Sequence, residues 1–314
     1  MTIEVAKLSK SFTTGRGKHR ISVEAVRDIS FSVAGGERLA YIGPNGAGKS
    51  TSIKMLTGIL HPDRGSASVL GITPWTHRKQ LARRIGTLFG QRSQLWFELS
   101  ALQSFRMLGA IFDMTDTQIA QRVGELGELL DATEVFAMPV RNLSLGQRMR
   151  CELAACMLHT PEILFLDEPT IGLDLLGKQL FRDLIVRLNE ERGTTIVLTS
   201  HDVADIESVA KRVIVINHGS VIYDDDVEVM RRSLFTTKRI EVGLERPTAP
   251  PHIDGADVIE HTATVVRFVV DTSRHSIRDV VDAVLTQLPV ADLSIVDPPL
   301  DEVIGSIYTR ATAQ

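Results

Sequence analysis

Residues 43–51 read Gly43-Pro44-Asn45-Gly46-Ala47-Gly48-Lys49-Ser50-Thr51 and match the pattern G-x-x-x-x-G-K-[ST] in full. The apolar run at residues 38–42 has the length of a buried strand, and residues 52–56 favour a helix. Glycines let the backbone curl, so that consecutive N–H groups and a helix N-terminus face one concavity suited to phosphate oxygens. The sequence therefore predicts a strand, a phosphate-binding loop and a helix, and with them nucleotide binding.

Three side chains of this loop have specific expected roles. Lys49 would reach the β- and γ-phosphates, and the Ser50 hydroxyl would be a ligand of Mg²⁺. By similarity to known loops of this kind, Thr51 would touch the α-phosphate. The alternative is a glycine-rich turn without a ligand, which the predicted strand and helix on either side disfavour.

The composition indicates a globular protein. The chain has 314 residues and 43% apolar content, which predicts a large core and two domains. Its formal net charge of -4 argues against a general nucleic-acid binder, since such proteins usually carry a basic excess or a basic stripe. No apolar run approaches the length of about 18 residues that indicates a membrane span, and the first residues lack the order of a signal peptide. We therefore expect the chain to stay in the cytosol.

The two cysteines are Cys151 and Cys156. Their spacing in one predicted helix separates the Cα atoms by more than about 7 Å, too far for a disulfide. We expect both to be core residues.

The chain before the loop carries one aromatic candidate. Residues 3–8 alternate as a half-buried strand, residues 23–33 contain a second strand, and a polar hairpin tip lies between them at residues 13–20. Phe12 leads into that tip. It either packs in the core or offers an aromatic face against which adenine stacks, with little base specificity.

Residues 163–168 are an apolar run that ends in two carboxylates, Asp167 and Glu168. A parallel strand buried on both faces has this pattern, and its carboxyl end can handle a metal and a water. Asp167 would hold Mg²⁺ through water, and Glu168 would polarise the attacking water. Solvated acids on a surface loop are the alternative, which the preceding apolar residues disfavour.

Two more polar residues follow predicted strands. Residues 85–91 form an apolar strand that ends in Gln91, whose carboxamide can face the ligand crevice of an α/β sheet. Residues 194–199 form another buried strand, and His201 follows its end. Single residues of this kind are often structural, but both repeat the pattern of a polar group at the carboxyl end of a strand.

Residues 92–159 form an inserted helical subdomain, because helix signals replace strand signals there. Thr115 and Gln118 have the spacing of a capping box, and apolar residues recur behind them at helical spacing. Ser144 is a natural N-cap for the last helix, which leaves a positive helix end with free N–H groups beside a glycine. An ordinary capped helix is the alternative to a ligand contact at Ser144.

Residues 236–314 form a second unit, which we interpret as a small α+β domain. Apolar patterns predict strands and helices in the order strand 240–244, strand 265–270, helix 277–288, strand 293–296 and closing helix 300–307. The unit has seven basic and twelve acidic residues and no catalytic constellation. Regulation, dimer contact and stabilisation all stay open as its role.

Along the chain, the motifs occur in the order GPNGAGKST, FGQ, LSLGQ, ILFLDEP, GLD and TSHD. This ordered set, over about residues 1–235, resembles the ATP-binding cassette (ABC) family of transporter ATPases. The resemblance implies an α/β P-loop ATPase cassette with a mainly parallel sheet, an antiparallel β subdomain and the helical insertion. It also implies ATP and Mg²⁺ bound between two copies of the chain, ATP hydrolysis, and a separate membrane permease on whose cytoplasmic side the chain works. Residues 89–96 and the C-terminal extension are most similar to the exporter-type branch.

The resemblance assigns roles to matching positions. Gln91 would touch Mg²⁺ and sense the membrane partner, and His201 would hold the γ-phosphate. Asp174 would communicate between the two nucleotide sites, and Phe12 would stack on adenine.

The motif LSLGQ resembles the family signature. Ser144 and Gly146, with Gln147 beside them, would close on the γ-phosphate of the nucleotide held by the opposite subunit. Leu145 departs from the commonest form, which has glycine there. Since Ser144 and Gly146 remain, we expect the function to be kept.

Trp96 and Phe97 begin the helical subdomain and have two interpretations. Large aromatics often belong to the core. Their position just after Gln91 instead favours a contact role, in which they line a groove that receives a cytoplasmic helix of the permease. Interfaces of this kind favour aromatic anchors.

Two other classes of function agree less well with the sequence. A cassette ATPase that acts on DNA or ribosomes is disfavoured, because there is no coiled-coil insertion, no second cassette and no basic excess. A nucleotide-sensing module without turnover would not need a base at Glu168. Export is inferred from the resemblance alone.

Overall fold

The structure is a computed structural model that describes residues 1–14, 21–89, 93–200, 202–234 and 237–296. The chain divides into two units, Met1–Asp226 and Val227–Gln314. The boundary predicted from the sequence, between residues 235 and 236, stays a prediction. The assignment of separate roles to the two parts of the chain stays a prediction.

The elements of the first unit are, in chain order, β1 (Ile3–Thr14), β2 (Ile21–Val33), β3 (Arg38–Ile42), α1 (Lys49–Leu56), β4 (Arg64–Val69), α2 (Arg78–Ala82), β5 (Ile85–Phe89), α3 (Ala101–Ile111), α4 (Asp116–Leu129), α5 (Leu145–Met157), β6 (Ile163–Asp167), α6 (Leu175–Arg192), β7 (Thr195–Thr199), α7 (Val203–Val209), β8 (Arg212–Asn217) and β9 (Ser220–Asp226). Those of the second unit are α8 (Val227–Leu234), β10 (Thr237–Leu244), β11 (Ala256–His261), β12 (Val265–Asp271), α9 (Ile277–Gln287) and β13 (Val290–Val296).

A six-stranded sheet in the order β5-β6-β7-β3-β8-β9 forms the centre of the first unit. The first five of these strands run parallel, and β9 is antiparallel to β8. Every residue of β3, β6 and β7 is buried, which explains their continuous apolar runs. Because the carboxyl ends of parallel strands meet at one edge, the segments after β3, β6 and β7 converge there.

A second, antiparallel sheet has the order β2-β1-β4. Simple alternation in β1 would place Ile3, Val5 and Lys7 on one face. The structure departs from this pattern, because Lys7 has a φ of 50° and the pairing with β2 shifts between Val5 and Leu8. This irregularity turns Leu8, rather than Lys7, into the core. Of the predicted hairpin tip, residues 15–20 lie outside the described residues.

The predicted helical subdomain contains α3, α4 and α5. The capping box predicted at Thr115 and Gln118 is confirmed at the start of α4. Phe105 and Phe136 pack edge to face in its core, with ring centroids 4.9 Å apart. The two cysteines of α5 are free and buried, as expected.

The second unit contains a four-stranded antiparallel sheet in the order β11-β12-β10-β13. Its core joins alternate residues of β10 and β12 to Val280 and Val284 of α9. Strand β11 was not predicted from the sequence. This edge strand buries only Ala256 and leaves Val258 and Ile259 exposed, so it lacks the apolar alternation of a half-buried strand. The predicted closing helix at 300–307 lies outside the described residues.

Among the helices that the structure describes, none has the length and apolar character required to cross a membrane.

Candidate active site

The loop between β3 and α1 needs glycine at two positions. A Cβ atom at Gly43 would lie 2.3 Å from the Ile216 carbonyl oxygen. Gly48 has a φ of 107°, and a Cβ there would lie 2.3 Å from the Ala25 carbonyl oxygen. Gly48 is also the N-cap of α1 and offers no side-chain acceptor to its first turn. N–H groups of that turn can therefore bind an anion.

Lys49 is the first residue of α1, and its residue surface is only 7% exposed. Its Nζ donates to the carbonyl oxygen of Gly43 at 2.7 Å and lies 3.7 Å from Oε1 of Glu168. The ammonium group is therefore held over the loop, next to the carboxylate that follows β6. A cation in this place suits the β- and γ-phosphates of a nucleotide.

Ser50, Asp167 and Thr199 form a connected group beside Lys49. The Ser50 hydroxyl donates to Oδ1 of Asp167 at 3.2 Å, and the Thr199 hydroxyl donates to the same oxygen at 2.6 Å. Hydroxyl and carboxylate oxygens are ligands that Mg²⁺ accepts, and it is often held by one or two carboxylates together with substrate phosphates. In the described part of the chain, no cluster of three or more His, Cys, Asp or Glu side chains could hold a metal. The residues present thus fit a metal that is shared with a nucleotide.

Glu168 sits at the turn that follows β6. Its backbone N–H lies near both the Thr199 hydroxyl, at 3.0 Å, and the Thr199 carbonyl oxygen, at 3.1 Å. Its φ of 53° is uncommon for a residue with a side chain, and such conformations cluster at functional sites. Thr199 was not predicted from the sequence, although a hydroxyl residue at the end of the apolar strand β7 is the signal that could have found it.

Comparison with known proteins identifies the family. Residues 26–171 match the family described as ABC transporter. The ABC transporter ATP-binding protein NatA of Bacillus subtilis is 32% identical over 70% of this chain and 87% of its own length. The daunorubicin/doxorubicin resistance ATP-binding protein DrrA of Streptomyces peucetius is 30% identical over 93% of this chain and 90% of its own. The chain belongs to the ABC transporter family.

A solved structure agrees with this assignment. The dimeric structure of MJ0796, described as a bacterial ABC transporter cassette, matches 72% of this chain and 98% of its own with a TM-score of 0.62 and 25% sequence identity. The resemblance inferred from the motifs is therefore confirmed, and so is the fold class of an α/β P-loop ATPase cassette. This chain is an ABC ATP-binding subunit and an ATPase.

The motif LSLGQ, predicted to be the signature of the cassette, lies at the start of α5. Ser144 is the N-cap: its hydroxyl accepts from the Gln147 N–H at 3.3 Å, and the Gln147 side chain accepts from the Ser144 N–H at 2.9 Å. The predicted cap is thus present as a capping box. Apart from the backbone of its own helix, no atom of the described residues lies within 4 Å of the position that a Cβ on Gly146 would take, so packing among these residues does not require glycine there. Leu145 is exposed.

Asp174 of the ABC cassette is the N-cap of α6, and its side chain accepts from the Gly177 N–H at 2.7 Å. Capping of α6 is therefore a structural role for this aspartate. The next two residues, Leu175 and Leu176, are exposed on the surface. The predicted role in communication between two sites stays a prediction.

Phe12 is 38% exposed, and its stacking on adenine stays a prediction. It lies on β1 opposite Val23, and the Nζ of Lys10 is 5.8 Å from its ring centroid. An aromatic face is therefore available for stacking, as the ABC resemblance implies.

Gln91 and His201 lie outside the described residues. The segment beside His201 is well anchored, because Ser200 and Thr170 both donate through their hydroxyls to Oδ2 of Asp205, at 2.8 and 2.5 Å. Asp205 also accepts from Nε of Arg182 on α6 at 2.7 Å. One buried carboxylate thus ties together the segments after β6 and β7, which sequence patterns did not reveal.

Proposed function

We propose that this chain is the ATP-hydrolysing subunit of an ABC exporter, that it binds Mg²⁺ and ATP between two copies, and that it drives a separate membrane permease. The observation that carries the proposal is that Lys49, Ser50, Asp167 and Glu168 lie close together at the carboxyl ends of β3 and β6. Residues 43–51 would hold the phosphates, and Phe12 would stack on the adenine.

Phosphoryl transfer at this site would depend mainly on positioned charges. The Lys49 ammonium would offset charge on the β- and γ-phosphates, and the Glu168 carboxylate would accept a proton from the attacking water. Ser50, Asp167 and Gln91 would hold Mg²⁺, which supplies charge neutralisation of the phosphates when it is bound. His201 would contact the γ-phosphate.

The proposed second copy would complete each site. Within the described residues, hydrogen bonds of Ser144 reach only Gln147 and Arg148 of its own helix. The open space at Gly146 would let a phosphate of the other copy's nucleotide approach the N-terminus of α5. Asp174 would lie near the same interface, and the dimeric form of MJ0796 supports this arrangement.

A permease partner is supported by the exposed aromatics at the start of the helical subdomain. Trp96 and Phe97 are 38% and 56% exposed, while the neighbouring Leu95 is buried. The chain would then work at the cytoplasmic face of the membrane through its permease. The similarity to DrrA over 93% of this chain supports export. In this proposal the chain does not bind nucleic acid.

Co-purification tests the proposal. The tagged chain is expressed together with a candidate permease, and the complex is isolated from detergent-solubilised membranes. We expect a stoichiometric complex whose ATPase activity exceeds that of the isolated chain. An active ATPase that fails to associate with the membrane protein would contradict the permease-driving role.

A further inference from the structure

Glu152 is a buried carboxylate in the middle of α5, and only 4% of its surface is exposed. Its two oxygens have different partners. Oε1 accepts a hydrogen bond from the Ser93 hydroxyl, and Oε2 accepts from the backbone N–H of Gln94 at 2.9 Å. The side chain therefore holds two consecutive residues of the segment that enters the helical subdomain.

The segment held by Glu152 has further anchors on both sides. The Gln94 side chain donates to the carbonyl oxygen of Thr87 on β5 at 2.6 Å and contacts the Cys156 sulfur of α5 at 3.0 Å. Burial raises the pKa of this thiol to about 12, so it stays protonated. The Trp96 N–H donates to the Ser104 hydroxyl of α3 at 3.2 Å. Residues 93–96 are thus bonded to the central sheet and to two helices.

Burying a carboxylate costs desolvation free energy unless hydrogen bonds or an ion pair compensate for the lost water. Charge-assisted hydrogen bonds are shorter and stronger than neutral ones, so they offset part of the desolvation cost and hold their partners stiffly. Among the residues that the structure describes, no ion pair is formed by Glu152. Apolar contacts already fill the core around α5, as shown by buried Leu153 and Cys156. The two carboxyl oxygens of Glu152 are therefore directed at Ser93 and Gln94 rather than at core packing.

The two segments that Glu152 connects indicate what these hydrogen bonds do. Ser93 follows Gln91 closely in the sequence, and α5 is the helix whose N-cap is Ser144. We propose that Glu152 is a positioning residue, which ties the segment after Gln91 to the signature helix so that nucleotide-dependent movement passes into the helical subdomain. This inference rests on the proposed function, in which Gln91 and Ser144 both serve the γ-phosphate.

Steady-state kinetics of the full chain tests the link. Ser93→Ala removes one donor at the surface, Glu152→Ala removes the acceptor, and Glu152→Gln keeps an oxygen for the Gln94 N–H and an amide that can donate to Ser93. Glu128→Gln, on the exposed side of α4, is the matched control. We expect kcat to fall roughly threefold to tenfold in Ser93→Ala and Glu152→Ala with KM for ATP unchanged, and to recover partly in Glu152→Gln. Glu128→Gln should equal the parent.

A purely structural role gives a different pattern. It would lower the melting temperature of Glu152→Ala while kcat per folded molecule, measured by active-site titration, stayed parental. If Glu152→Ala fails to fold, Ser93→Ala and Glu152→Gln decide the question. Parental kcat and KM in both would overturn the proposal.

Tryptophan fluorescence provides a second readout. The chain has two tryptophans, so Trp75→Phe leaves Trp96 as the single emitter next to the held segment. A non-hydrolysable ATP analogue should shift the Trp96 emission, and Glu152→Ala should abolish the shift at saturating analogue. An undiminished shift would overturn the link. If the parent itself neither binds nor hydrolyses ATP, the proposed function fails; if only the variants' effects are missing, the positioning role alone fails.

Discussion

The Thr199 hydroxyl donates to Oδ1 of Asp167 at 2.6 Å and so connects the carboxyl ends of the neighbouring strands β7 and β6. The same hydroxyl lies 3.0 Å from the backbone N–H of Glu168. Thr199 thus contacts both acidic residues of the site. It is not itself one of the residues predicted to bind the nucleotide. Its role would be to set the direction of the Asp167 carboxylate and to hold the backbone of Glu168 in place.

Thr199→Val keeps the shape of the side chain but removes its hydroxyl. We expect kcat to fall roughly tenfold to a hundredfold, because misplaced reacting groups are costly. Unfolding free energy should fall by about 1–2 kcal/mol, since buried polar groups lose a partner. The matched control is Thr195→Val on the same strand, whose hydroxyl accepts from the Gly36 N–H at 3.0 Å. A kcat loss of equal size in both variants would refute the specific role of Thr199.

Glu168→Gln retains the size of the side chain and removes the base. ATP should still bind, and turnover should fall about 100-fold or more, the scale of general-base catalysis. A long-lived ATP-bound dimer should therefore accumulate, which size-exclusion chromatography with ATP would show. Phosphate release at the parental rate would reject the role of Glu168 as base.

Lys49→Ala removes the cation held over the loop. Binding of ATP should weaken by about tenfold or more, since charge-assisted contacts to phosphate are lost. Lys54→Ala, in the last turn of α1, controls for a general effect of charge. Isothermal titration calorimetry compares the two, and parental affinity in Lys49→Ala would show that this loop is not the binding site.

A composite site makes hydrolysis depend on protein concentration. Because Ser144 would serve the nucleotide of the other copy, ATPase activity per molecule should rise as the chain dimerises. The measurement is specific activity across a dilution series, with the oligomeric state followed by light scattering. Constant specific activity from well below to well above the dimerisation range would exclude a site shared between copies.

Trp96→Ala removes a half-exposed aromatic from the proposed permease groove. Truncation of such an anchor commonly costs about 2 kcal/mol or more of binding, so association and transport should decline. The melting temperature and basal hydrolysis of the isolated subunit should stay near parental values. Ile111→Ala, which truncates an exposed side chain on α3, is the control. A large loss of thermal stability with association intact would instead assign Trp96 to the core.

Several features of this protein are local in the chain and could be predicted from it. The loop at residues 43–51 and the cap at Thr115 depend on neighbours within one turn, so short patterns identify them. Continuous apolar runs such as β6 and β7 show burial on both faces of a parallel sheet. The order of the motifs along the chain is by itself enough to indicate the family.

Other features arise only when distant segments meet. Strand order places β7 between β6 and β3, and this neighbour relation alone brings Thr199 to Asp167. Glu152 meets Ser93 across 59 positions, and no local pattern marks either residue. The irregularity at Lys7, which reverses the faces of β1, likewise follows from pairing with β2. Local propensities and motifs are encoded within a few residues, whereas hydrogen bonds between segments depend on which strands and helices the folded chain brings side by side.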